Sequence, residues 1–168
     1  MRAIILVMLL AFGANLFAGE FYKKVIHEPM ETYYPKLQKA IKKNHMNILY
    51  ELDLIKQFKA KGYDKKFGKE FNINRLDGVK TVLVCNGYVG NQISNIDPTM
   101  LALCPLKLTL IKEGRKTTIV FLKHSTINTS KKIKDLLTTL DTILEHTIDL
   151  TDRKSTTSEL QSPYDLVC

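Results

Sequence analysis

The sequence predicts an α+β domain: a mostly antiparallel sheet with helices packed on one face, in the order β-α-β-α-β-α-β-β-α. Three observations predict it. The strand-like segments alternate apolar and polar residues, whereas strands buried on both faces read as continuous apolar runs. Between them lie segments whose apolar residues recur every three or four positions. The last two strands are joined by the tight Glu113-Gly114 turn, a connection open only to antiparallel neighbours.

Phe21 to Glu28 reads as the first strand, with β-branched and aromatic content. From Met30 to Asn44, Met30, Tyr34, Leu37 and Ile41 share one helical face while Lys36, Lys39 and Lys43 fall on another, which describes an amphipathic helix. Met46, Ile48, Tyr50, Leu52 and Leu54 alternate with Asn47, Glu51 and Asp53, the pattern of a half-buried strand whose two carboxylates point to water. Ile55 to Lys66 predicts a weaker helix, broken or ended near Gly62, and Lys69 to Gly78 is turn-like.

Val79 to Cys85 is a β-branched strand that carries the first cysteine. Val89, Ile93 and Ile96 then take helical spacing, with Asn86 as the cap, and Asp97-Pro98 ends or redirects the helix. Leu106, Leu108 and Leu110 alternate with Lys107 and Thr109, and Thr117 to Lys123 pairs back as the next strand. Ser130 caps a final helix in which Ile133, Leu136, Leu137, Leu140, Leu144 and Ile148 form an apolar stripe. Residues 151–168 form a polar, Ser/Thr-rich tail that needs no packed structure.

Residues 1–18 have the plan of a secretory signal peptide: the positive Arg2, an apolar run from Ile4 to Phe12, then small residues up to Ala18 and Gly19. Cleavage after Ala18 leaves one domain over 19–150; cleavage after Gly13 is the other option. The apolar run is shorter than a helix needs to cross a ~30 Å hydrocarbon core. The expected location is therefore periplasmic or secreted. The net charge is +8, and its excess sits in lysines of the first half. These lysines are spread over separate elements without aromatic interleaving, RNP-like motif or zinc-finger spacing, which argues against nucleic acid. Such a surface also suits an anionic membrane.

Templates for known chemistry are missing. There is no GxSxG, HExxH, Walker loop or dinucleotide glycine pattern, and no CxxC or CxxCH. His27, His45, His124 and His146 are scattered, so no metal site is expected from local spacing. No catalytic residue is assigned, and the chain reads as a binding or accessory module rather than an enzyme.

The segment from about Tyr33 to Ser125 resembles the DUF302 family of small α+β domains, through Cys85-Asn86, Asp97-Pro98 and Leu103-Cys104-Pro105. The resemblance implies a TBP-like arrangement of strands and helices, export and a tendency to homodimerise. It supplies no agreed catalytic residues. Lys123-His124-Ser125 departs from the pattern, since relatives often carry proline at the His124 position.

The central question is what Cys85 and Cys104 do. If their strands are neighbours the thiols approach, and an oxidising envelope allows a disulfide. Closing a loop of about 15–20 residues stabilises a fold by roughly 3 kcal/mol in the entropic picture. Alternatively Cys85, at a strand end before a helix N-terminus, is a reactive thiol or flanks an anion site. Buried apolar filler is the third reading. The expected ligand site joins Cys85, Asn86, Asp97, Cys104 and Pro105 around one small-molecule pocket or cleft. Cys104 with His124 is kept as a haem or metal pair, because Cys-Pro dipeptides serve as axial thiolate ligands in some haem-responsive proteins. Cys168 is the odd cysteine, at the end of the tail.

Overall fold

The computed structural model describes residues 20–152; the signal peptide expected over 1–18, most of the expected tail and Cys168 lie outside them. The elements run β1 (Phe21–Ile26), α1 (Met30–Lys43), β2 (Asn47–Asp53), α2 (Leu54–Ala60), α3 (Tyr63–Phe67), β3 (Gly78–Cys85), α4 (Gly87–Ile96), β4 (Leu106–Glu113), β5 (Lys116–Leu122) and α5 (Lys131–Asp152). Short 3₁₀ turns occupy Gly68–Glu70, Pro98–Leu103 and His124–Thr126. The five strands form one sheet in the order β1-β5-β4-β3-β2, every neighbouring pair antiparallel. The α+β class holds.

One sheet face is apolar because the alternation places it so. Leu106, Leu108 and Leu110 of β4 are buried beside Val82 and Val84 of β3 and Ile119 and Phe121 of β5. Helices α1 and α5 cover this face with Tyr33, Leu37 and Ile41 against Leu137, Leu144 and Ile148. The Tyr33 hydroxyl donates to the Ile148 carbonyl at 3.3 Å, which satisfies a polar atom inside that seam. No helix among the described residues is long and apolar enough to cross a membrane.

One expectation changes. The strand expected over Met46 to Leu54 does not keep one face. A bulge between Ile48 and Tyr50 shifts the register, so Ile48 pairs with Val84 on the core side while Tyr50 pairs with Leu83 on the opposite side. Tyr50 is therefore exposed, and Glu51 lies opposite Val82 on the helical side while staying exposed to water, as expected. There it accepts from Gln38 of α1 at 2.8 Å and sits 3.6 Å from Lys80. The helix expected over Ile55 to Lys66 is broken at Gly62, as its sequence suggests: Gly62 takes φ 71°, a left-handed conformation that ends α2 and starts α3.

Candidate functional site

The two cysteines meet because of strand register. In the β3–β4 pair Val84 stands opposite Leu106, so the chain leaves β3 at Cys85 beside the point where it enters β4 through Cys104 and Pro105. The Cys85 and Cys104 sulfurs are 2.8 Å apart, and both residues are half-buried.

The connection between them is held by its polar residues. Asn86 caps α4, its Oδ1 accepting the Val89 N–H at 3.0 Å, while its Nδ2 donates to the His45 carbonyl at 3.4 Å. Asp97 closes α4 and caps the 3₁₀ turn Pro98–Leu103, accepting the Thr99 N–H at 2.9 Å and the Thr99 hydroxyl at 2.6 Å. Those bonds from Thr99 hold the Asp97 carboxyl below the usual range. The Cys104-Pro105 peptide is cis.

Above the sulfurs lies a recess of about 10 Å³. Apart from Asn86 its walls are the two cysteines, Gly90 and Ile93 of α4, Met100, Leu101 and Leu103 of the turn, Leu106, and Leu137 and Leu140 of α5. That volume is close to the minimum for one water molecule. In this apolar setting the Cys104 thiol is pushed up to about 12, by burial first and then by Cys85, through the hydrogen bond the two sulfurs share and the repulsion of a second thiolate.

Of the residues singled out in the sequence, Cys85, Asn86 and Cys104 line this recess. Asp97 and Pro105 frame the connection without lining it. His124 is engaged elsewhere, on the 3₁₀ turn His124–Thr126 against α5. It is buried, its Nδ1 makes no hydrogen bond and lies 3.8 Å from the carboxylate of buried Asp141. Asp141 instead accepts the backbone N–H of His124 at 3.1 Å and of Ser125 at 2.8 Å. Burial works to raise the Asp141 carboxyl, yet the His124 side chain and the Ser125 and His124 amides hold it below the usual carboxylate range. No group of three or more potential metal ligands occurs among the described residues.

Sequence reasoning missed Gly90 and Asp141. Gly90 brings α4 against the thiols: a Cβ there would lie 3.9 Å from both sulfurs. The available signal was a glycine inside a helical pattern, four residues after the cap, which marks close approach. Asp141 carried a signal too, as a carboxylate falling between Leu137 and Leu144 on an otherwise apolar stripe.

Comparison with known proteins bears on the fold. No curated protein matches the chain. The crystal structure of an uncharacterized conserved protein DUF302 from Bacillus stearothermophilus is similar at TM-score 0.69 and 18% identity, covering 81% of this chain and 100% of that one. At that identity the likeness speaks for the shared architecture. The family model described as "Domain of unknown function DUF302" matches residues 22–150. That span begins within β1 and ends within α5, taking in every strand and the whole Cys85–Cys104 connection, so the chain belongs to the DUF302 family.

Proposed function

We propose that this DUF302 domain is an exported thiol–disulfide module whose working pair is Cys85 and Cys104. The observation that carries the reading is the 2.8 Å approach of two half-buried sulfurs from the ends of adjacent strands. The leader-like residues 1–18 support delivery to an oxidising compartment, where disulfides form and persist. Small-molecule or haem binding at the same place has less support, because ligand pockets run to several hundred Å³ and the recess measures about 10 Å³.

The chemistry follows from where the two sulfurs stand. Cys85 directly precedes the Asn86 cap of α4, and a sulfur at a helix N-terminus is the better placed to act as nucleophile, so Cys85 is the attacking one. The oxidant is a disulfide, RS–SR′. The Cys85 thiolate attacks one sulfur, forming the mixed disulfide Cys85–S–SR and releasing R′S⁻. Cys104 then gives up its proton and attacks the Cys85 sulfur, closing the Cys85–Cys104 bond and releasing RS⁻. Two protons pass from the cysteines to the leaving thiolates. The pair loses two electrons, and the substrate disulfide gains them.

The test uses Cys168→Ser chain, so that only the two central thiols titrate. With an aromatic disulfide reagent, the Cys168→Ser chain should release two equivalents of thiolate per molecule and end internally cross-linked. Cys104→Ser should stop at a stable mixed disulfide on Cys85, identified by mass, and Cys85→Ser should react at least tenfold more slowly. Two thiols that stay unreactive whether or not the chain has first been reduced would overturn the reading, as would trapping on Cys104.

A further inference from the structure

We infer that the excursion between β2 and β3, residues 54–76, is a docking surface for an anionic lipid bilayer. This does not rest on the thiol reading. Asp53 at the end of β2 pairs with Lys80 near the start of β3, whereas Cys85 ends β3. Five residues of strand, about 17 Å at 3.4 Å each, separate the excursion's attachment from the sulfurs.

The excursion concentrates charge. Lys56, Lys59, Lys61, Lys65, Lys66, Lys69 and Arg75 stand against Asp64 and Glu70 alone, a net +5 of the chain's +8. All seven cations are exposed, and none is in an ion pair among the described residues. Alongside them the excursion keeps apolar surface. The Phe58 and Tyr63 rings are tilted and the Tyr63 and Phe67 rings T-shaped, with centres 5.6 and 5.7 Å apart, and with Ile55, Phe71, Glu70 and Asn72 they border an open, mostly apolar groove of about 330 Å³. Phe67 is 47% exposed and Ile73 71%. The Lys66 ammonium lies 5.7 Å from the Phe67 ring centre, so a cation and an exposed aromatic share one spot.

Charge complementarity names an anionic partner, and the apolar component selects among such partners. A bilayer surface offers phosphate headgroups and, within 5–10 Å below them, acyl carbon, which is where lysines and aromatic side chains of interfacial segments divide. A soluble acidic polymer would match the lysines and leave Phe67, Ile73 and the groove in water.

The chain has no tryptophan, so Phe67→Trp places a single indole at the proposed contact, clear of the leader. With phosphatidylcholine vesicles containing about one-third phosphatidylglycerol, its emission should shift to the blue, and the shift should vanish near 0.5 M salt and with pure phosphatidylcholine. Adding Lys65→Gln and Lys66→Gln should weaken binding about 25-fold, at about fivefold for each lysine, while Lys42→Gln with Lys43→Gln on α1 should change it by less than about twofold. Urea midpoints of both pairs confirm folding. An unshifted indole, equal losses in the two lysine pairs, or an equal shift with soluble polyglutamate would overturn the proposal, the last by identifying an acidic macromolecule instead.

Discussion

Asp141 shows what one buried carboxylate does for this fold. It holds two backbone donors of the His124–Thr126 turn against the middle of α5, and the loss of a buried acceptor strands both. Asp141→Ala should cost about 3 kcal/mol, read from urea midpoints, and Asp141→Asn roughly half of that, since an amide oxygen still accepts one bond. The carboxyl is depressed in the folded state. Its contribution is therefore fully present above the unfolded value of about 3.9 and disappears as pH falls through the lower folded one. The gap in stability between the native chain and Asp141→Asn should be constant from neutral pH to about pH 5 and should narrow below about pH 4. A gap independent of pH would mean that the charge plays no part. Sequence reasoning set His124 beside Cys104 and missed Asp141, because that partner is 17 residues away on a helix whose register had to be assigned first.

At the scale of elements, the pieces whose pattern is set by burial on one side were readable. The stripes of α1 and α5, the leucine face of β4 and the Asn86 start of α4 are where periodicity placed them. The bulge in β2 was not, because Met46, Ile48, Tyr50 and Leu52 alternate faultlessly while the extra residue Leu49 is an ordinary strand former. Only the pairing with β3 reveals it. The 3₁₀ turns escaped for a related reason, being too short to develop a period. Helix α4 offers two tests of how an element positions the sulfurs. Asn86→Ala removes the cap from Val89 and should cost about 1 kcal/mol. Gly90→Ala should stabilise by about 0.5–1 kcal/mol, because a helix-interior glycine is entropically costly and its added methyl meets both sulfurs at an ordinary 3.9 Å. Gly90→Leu has no such room, and the rate at which oxidant closes the Cys85–Cys104 bond should fall at least tenfold.

For the whole molecule, closing the Cys85–Cys104 bond and folding the chain are linked equilibria. The bond would close a loop between residues 19 apart in sequence, and in the entropic model that restricts the unfolded chain by about 3 kcal/mol. Around the cycle of folding and oxidation the same energy must appear twice. If the cross-link raises folding stability by about 3 kcal/mol, then folding makes the pair harder to reduce by about 65 mV, since 30 mV corresponds to about 1.4 kcal/mol for two electrons. A domain that uses the bond for exchange gains from a smaller difference, and a domain that uses it as a staple from a larger one. Urea unfolding of oxidised and reduced Cys168→Ser chain gives one side of the cycle, and equilibration against a thiol–disulfide buffer in water and in denaturant gives the other. An exchanging pair should show a folded potential above about −300 mV and a stability gain of no more than about 3 kcal/mol. A potential well below that, with a correspondingly larger gain, would make the bond a permanent brace between β3 and β4 and remove the exchange reaction while leaving the geometry of the two sulfurs intact.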